Sequence, residues 1–215
     1  MNILFIFAHP DDEAYGPAGT IAKLSKHNNV TVVSLCQGNR PGNEKVSENR
    51  QKSFKESCAI LGATPIILNY SDCHLEYNNV VKSIEQVIKN INPEIVYTHN
   101  ISDIHKDHRL VAEACLVCCR PKLESNIKEL YMCEMIASTD WSFGQIEPKF
   151  IPNVYVDVSD YIEVKKQSIN FYSSELYDYP DARSVMSMEI LAKYRGKQVG
   201  LEYAESFKLI FSRRN

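Results

Sequence analysis

Residues 2–16 read NILFIFAHPDDEAYG. A strand-forming run, Asn2 to Phe7, carries no charge and stops at His9, Pro10, Asp11, Asp12 and Glu13. An unbroken apolar run suits a strand buried on both faces, as in a parallel sheet; a strand with one wet face alternates. Similar runs recur at 30–35 (VTVVSL), 65–68 (PIIL) and 94–98 (EIVYT), with helical patterns at about 16–27, 46–61 and 79–91 between them. Each gap holds one crossover helix. That βαβ rhythm predicts an α/β protein with a mostly parallel sheet sandwiched between helical layers. Gly62, with Pro65 beyond it, ends the helix over 46–61.

Downstream, the pattern predicts a helix over 108–119, strands at 129–135 and 154–157, and a helix over 161–172 capped by Ser159 or Asp160. The polar, aromatic segment 173–183 (SSELYDYPDAR) reads as a loop, 184–198 as a last helix, and FKLIF (207–211) as a closing edge strand. No repeat, low-complexity tract or linker interrupts the chain, so a single domain over 1–215 is expected.

Composition narrows the function classes. The chain has 215 residues, 44% hydrophobic and 24% charged, with a net charge of -3 and a pI near 6.1. That profile fits a globular protein and argues against a nucleic-acid partner. No apolar run approaches the roughly 18 residues of a membrane span. The apolar start lacks a preceding basic region, so no signal peptide is expected and the cytoplasm is the expected compartment. The seven cysteines are irregularly spaced and read as reduced, core-filling thiols. Cys115 and Cys118 form a C-x-x-C, but the stretch reads as helix and no second pair completes a four-thiolate site.

In an open parallel sheet, ligands bind at the rim formed by the carboxyl ends of the strands. The HPDDE cluster follows the first strand directly. After the fourth comes THNISDIHKDHRL, with His99, Asp103, His105, Asp107 and His108; three of the six histidines lie within these ten residues. Topology therefore brings two remote clusters to one rim. Asp12 or Glu13 alone would be explained by helix capping; a second His/Asp cluster at the matching rim position favours chemistry. Two or three His/Asp ligands with one open position suit a catalytic zinc ion, which lowers the pKa of a bound water and polarises a carbonyl. A neighbouring carboxylate that is not a ligand takes the proton, and an uncoordinated histidine stabilises an oxyanion or protonates a leaving amine. Spacing alone leaves open which of His99, His105 and His108 binds the ion.

With AHPDDE at 8–13 and HKDH at 105–108, the chain resembles the PIG-L/LmbE-like family of zinc-dependent N-deacetylases, whose members remove acetyl groups from N-acetylglucosamine conjugates and related amides. The helix from Arg50 to Gly62 and the segment AKYRGKQVGLEYAESF (192–207) extend the resemblance, the latter toward bacillithiol-type members. The resemblance implies a Rossmann-like three-layer sandwich and one zinc ion per chain held by His9, Asp12 and His108. It implies Asp11 as general base, His105 as the histidine assisting at the oxyanion or leaving group, and Asp107 as the acid paired with His105. It also implies substrate contacts at Arg50 and Tyr194. The expected partner is a small amino-sugar substrate, and a homo-oligomer is compatible with the sequence. His99 is expected to support the rim, and His27 and His74 to face solvent.

Three departures touch the substrate more than the metal. YGPAGT replaces a family Gly-Gly pair, Ser53 stands where an acidic residue is common, and HKDH places Lys106 where proline is frequent. Selectivity is expected from the loops 36–45 and 173–183. The rival readings are an amidase or deformylase on a non-sugar amide, an Fe(II) or Co(II) enzyme with the same ligands, and a nucleotide- or sugar-binding module. For the nucleotide module, neither G-x-G-x-x-G nor G-x-x-x-x-G-K-[ST] is present.

Overall fold

A computed structural model describes residues 1–39 and 44–214. The first half runs β1 (Asn2–Phe7), α1 (Asp12–Tyr15), α2 (Ala18–Ser25), β2 (Asn29–Cys36), α3 (Glu44–Leu61), β3 (Thr64–Tyr70) and α4 (Tyr77–Ile91). The second half runs β4 (Ile95–His99), α5 (Lys106–Cys118), β5 (Glu129–Cys133), β6 (Val154–Asp157), α6 (Ile162–Asn170), α7 (Val185–Val199) and β7 (Ala204–Ser212). The strands form one seven-stranded sheet in the order β3-β2-β1-β4-β5-β7-β6. β1 to β5 are mutually parallel, while β7 runs antiparallel to both β5 and β6.

The sheet is the middle of three layers, and β1 shows why its sequence is unbroken. Ile3, Phe5 and Phe7 pack with α2, α3, α6 and α7 on one side; Leu4, Ile6 and Ala8 pack with α4 and α5 on the other. All six are at most 1% exposed, so no position along the strand tolerates a charge. An aromatic row crosses the first face: Phe5 stacks on Tyr97 at 4.4 Å between centroids, and Tyr97 on Tyr131 at 4.8 Å. Burial of each such side chain contributes about 1.5–3 kcal/mol.

The helix expected at 16–27 is α2, Ala18–Ser25, and it begins just after Pro17, its N-cap residue; the four-residue α1 before it, Asp12–Tyr15, was not anticipated. Neither Ser159 nor Asp160 caps α6; they lie in a 3-10 turn, and Asp157 Oδ1 accepts from the Ser159 amide and hydroxyl at 3.0 and 2.6 Å. FKLIF is the second half of the nine-residue β7: β6 pairs with Ala204–Phe207 on one side, and beyond Phe207 the strand pairs with β5 alone. The segment 173–183 includes a 3-10 turn at Ser173–Glu175.

Cys115 and Cys118 both lie on α5, and all seven cysteines are free thiols. Among the described residues, no helix is long and apolar enough to cross a membrane.

Candidate metal centre and active site

β1 and β4 are neighbours, and the strand order reverses between them: β2 and β3 lie to one side, β4 and β5 to the other. The chain leaves these two strands toward opposite faces and opens a crevice at their carboxyl ends. His9 to Glu13 line it from one side and His99 to His108 from the other.

The two tips meet. His9 Nδ1 lies 3.3 Å from His108 Nε2, 99 residues away. Asp12 sits between them, its Oδ1 3.3 Å from His108 Nε2 and its Oδ2 3.6 Å from His9 Nδ1. The outward nitrogens are committed elsewhere. His9 Nε2 is 3.0 Å from Asp107 Oδ2, and His108 Nδ1 is 3.1 Å from Asp103 Oδ2. Carboxylates in those positions hold the protons on the outer nitrogens and leave the inner lone pairs facing each other, the orientation that histidines ligating a metal take. Two facing imidazole lone pairs with a carboxylate beside them repel one another unless a proton or a cation lies between, so this donor set fits a divalent ion.

The electrostatics agree. Burial pulls His9 down, but its bonds to Asp107 and Asp12 outweigh that and raise it to about 9. Burial likewise opposes charge on His108, yet Asp12 and Asp103 raise it to about 10. Three carboxylates thus draw positive charge into a buried space, and in the absence of an ion protons supply it.

His99 is fully buried at the end of β4, where its Nε2 accepts from the Ala8 amide at 2.8 Å and lies 3.2 Å from Asp12 Oδ2. Burial, then the neighbouring His108, lowers it to about 4. Asp12, His99 and His108 are also close enough to share an ion. The Ala8 amide, however, already uses the His99 lone pair, so His99 braces the rim as expected. His27 and His74 are exposed.

His105 caps α5, its Nδ1 accepting from the Asp107 amide at 3.2 Å. Its ring sits 4.7 Å from those of both His9 and His108. Burial, then His108 and His9, lower it to about 4, so it is neutral. Asp107 requires a correction: its carboxylate does not pair with His105. Oδ2 serves His9 and accepts from the Cys73 amide at 2.7 Å. As the second residue of α5, Asp107 points back past the helix start toward β1, so the neighbouring chain end takes its charge.

Asp11 lies at the cleft floor with φ +127°, a conformation costing a non-glycine residue about 1–3 kcal/mol. The strain is held by local bonds: the Ala14 and Tyr15 amides donate to Asp11 O at 2.9 and 3.0 Å, and the Asp11 amide donates to Glu13 at 3.2 Å. Arg50, from α3, reaches Asp11 Oδ2 at 3.0 Å and Asp72 Oδ2 at 3.1 Å, and lines the cleft. Tyr194 is not there. It stands 45% exposed on the outer face of α7, flanked by Arg195 at 5.2 Å and Lys197 at 5.1 Å, and does not line the cleft.

Sequence reasoning left three participants without a role. Asp103 orients His108 and is held by the Ser138 hydroxyl at 2.7 Å. Glu13 is fully buried, receives the Tyr172 hydroxyl at 2.6 Å, and is pushed up to about 7, chiefly by burial. Arg183 lies 2.7 Å from Asp11 Oδ2. Asp103 and Glu13 were visible within the two motifs; nothing local marked Arg183.

The cleft encloses about 420 Å³. Asp11, Arg50, Asp72, Glu175 and Arg183 are joined by ion pairs into one charged wall, and the apolar lining comprises Val46, one turn before Arg50 on α3, with Ile104, Met135, Ile136 and Trp141. Glu175 and Arg183 belong to the segment expected to carry selectivity. Of the other such loop, Gly38 lines the cleft, and residues 40–43 lie outside the described residues.

The family profile of the PIG-L GlcNAc-PI de-N-acetylases matches residues 4–119, a span that contains both rim clusters. The chain belongs to this family. It is 30% identical to the diacetylchitobiose deacetylase of Thermococcus kodakarensis, in an alignment covering 97% of this chain and 83% of that one. Among solved structures, it superposes with a TM-score of 0.80 on the N,N'-diacetylchitobiose deacetylase of Pyrococcus horikoshii, at 23% identity over 97% and 83% of the two chains. It superposes equally well, with a TM-score of 0.78 at 19% identity over 100% and 98%, on a 4-carboxy-2-hydroxymuconate hydratase of Pseudomonas putida. At such identities the likeness concerns the fold, and one PIG-L-type scaffold carries more than one chemistry, so the reaction must be argued from the side chains.

Proposed function

We propose that this chain is a zinc-dependent de-N-acetylase acting on an N-acetylglucosamine-type amino sugar or glycoconjugate. One observation carries the reading: His9, Asp12 and His108 converge from two remote loop tips, each histidine backed by a carboxylate, with Asp11 beside them and committed to arginines instead. His9, Asp12 and His108 would hold the ion. When bound, it supplies Lewis acidity to the amide carbonyl and acidifies a water.

The chain's own groups account for the proton movements. Asp11 keeps Oδ2 on its arginines and has Oδ1 to take a proton from water as the water oxygen adds to the amide carbonyl carbon. The same carboxyl returns that proton to the nitrogen as the C–N bond breaks, so that amide and water give acetate and a free amine. His105, neutral and at the cleft edge, is placed to donate a hydrogen bond to the developing oxyanion. The charged wall offers hydrogen bonds to sugar hydroxyls, and Arg50 is its centre. The free thiols fit a reducing compartment, and the reading places the enzyme in the cytoplasm acting on a small molecule.

The test is acetate release from a panel of N-acetylglucosaminides, with formamides and simple acetamides in parallel, using zinc-loaded protein. The reading expects acetate from the amino sugars. Formate from the formamides alone would move the enzyme to the deformylase class, and no release from any amide would reject the reading.

A further inference from the structure

Asp11 is fixed at its backbone by strain and local hydrogen bonds, but these do not fix its side chain. Two guanidinium groups do, and they are not equivalent. Arg50 divides its donors: Nη2 also donates to Pro10 O at 3.1 Å, and Nη1 is engaged by Asp72 at 3.1 Å and Gly38 O at 3.4 Å. Arg183 makes one short side-chain hydrogen bond, from Nη2 to Asp11 Oδ2 at 2.7 Å, across 172 residues of sequence. Its other terminal nitrogen stands 3.8 Å from Glu175, and its guanidinium lies over the Tyr15 ring at 4.5 Å.

The arm that carries Arg183 is anchored. Arg183 immediately precedes Ser184, the N-cap of α7, whose hydroxyl accepts from the Ser187 amide at 3.0 Å. Its own amide donates to Asp181 at 2.8 Å, and its carbonyl accepts from Tyr177 at 3.3 Å. The Tyr15 hydroxyl donates to Glu175 O at 3.1 Å, tying the start of the arm to α1. A pre-ordered guanidinium is therefore delivered to one oxygen of one carboxylate, and both arginines choose Oδ2.

We propose that Arg183 is a positioning residue for the reaction. By occupying Oδ2 together with Arg50, it locks the Asp11 carboxylate so that Oδ1 is the oxygen that exchanges the proton. The inference rests on Asp11 being the base in the reading above. Its role is distinct from that of Arg50, whose donors are divided among Asp11, Asp72, Pro10 O and Gly38 O.

The experiment compares wild type, Arg183→Ala, Arg183→Lys, Asp11→Asn and the Arg183→Ala/Asp11→Asn double variant on the amino sugar that wild type deacetylates best. Arg183→Ala is expected to lower kcat roughly 10- to 100-fold, with KM within about threefold and zinc content unchanged, because a displacement near 1 Å at the base costs about that much. Arg183→Lys, which keeps the charge without the planar fork, falls between the two. Millimolar guanidinium ion restores part of the Arg183→Ala rate and does not stimulate wild type. On the Asp11→Asn background, Arg183→Ala changes the residual rate less than twofold, since its effect passes through the missing carboxylate. The inference is overturned if kcat of Arg183→Ala stays within twofold of wild type, if KM alone rises, or if the losses simply add in the double variant. An inactive wild type would reject the enzymatic reading itself; an active wild type with an indifferent Arg183→Ala rejects only the role of Arg183.

Discussion

Two clusters of buried charge lie on either side of α1, and they balance differently. Behind α1 and α2, Lys165 pairs with Glu205 at 2.6 Å and donates to Gly16 O, while Glu205 also accepts from the Gly19 and Thr20 amides at 2.9 and 2.7 Å. Nearby, Arg195 grips Glu134 through two bonds, and the Ser206 hydroxyl adds a third at 2.7 Å. Each acid there has its base. In the cleft, Asp12, Asp103 and Asp107 surround two histidines that become cationic only by being forced to about 9 and 10. The first cluster is self-neutralising, and the second has an excess of carboxylate that draws in positive charge. Buried charge marks a scaffold where it is self-neutralising and a site where it is not.

The largest expected effect breaks the second cluster. His108→Ala or Asp12→Ala removes a donor and should abolish deacetylation and stoichiometric zinc, read by metal analysis after gel filtration. Asp11→Asn should cut kcat by about 10²–10⁴ while leaving zinc at one per chain. A variant that loses both metal and activity would place Asp11 among the ligands instead.

The proton count of the cleft gives the next prediction. In the metal-free protein His9 and His108 titrate at about 9 and about 10, above their ordinary 6.5. Raised folded pKa values stabilise the fold fully below about pH 6.5, and that contribution is lost as pH rises through 9 to 10. An entering ion must displace these protons, so apparent zinc affinity should climb between pH 6.5 and 9, with up to about two protons released per ion. Calorimetry in two buffers of different ionisation enthalpy measures that release; none at pH 7 would contradict the assignment.

The scaffold cluster should respond in stability and not in chemistry. Lys165→Met strands Glu205 and should cost about 3–5 kcal/mol, lowering the melting midpoint by roughly 10 °C. Lys165→Met with Glu205→Gln should recover part of that, and zinc content should be untouched in both. Smallest of all, Tyr194→Phe should leave kcat and KM within about twofold, since the ring lies outside the cleft.

Much of this was legible in the sequence because it is local. The run from Asn2 to Phe7 reads as a strand buried on both faces, and HPDDE and HKDH carry their His and Asp side chains to the segments that directly follow β1 and precede or open α1 and α5. Contacts made across the fold were not legible. The partner of Asp107 is His9, 98 residues away, because helix direction aims its carboxylate past its neighbour His105. Arg183 reaches Asp11 from the end of a polar loop whose composition names no partner. β7 fills the edge that β5 leaves open and β6 pairs with its first half, a long-range pairing that the composition of FKLIF does not encode. Tyr194 was misplaced because its motif lies on α7, and helical phase turns that ring outward while Gly196 packs against the carbonyls of Leu201 and Glu202.

The central claim is that one divalent ion joins the tips after β1 and β4. Crystals of the zinc-loaded protein, measured on both sides of the zinc absorption edge, test it directly. The account predicts a single strong anomalous peak per chain within bonding distance of His9 Nδ1, His108 Nε2 and an Asp12 oxygen. A zinc-loaded crystal whose anomalous signal lies elsewhere, or whose His9 and His108 stay bridged by protons and water, would contradict it.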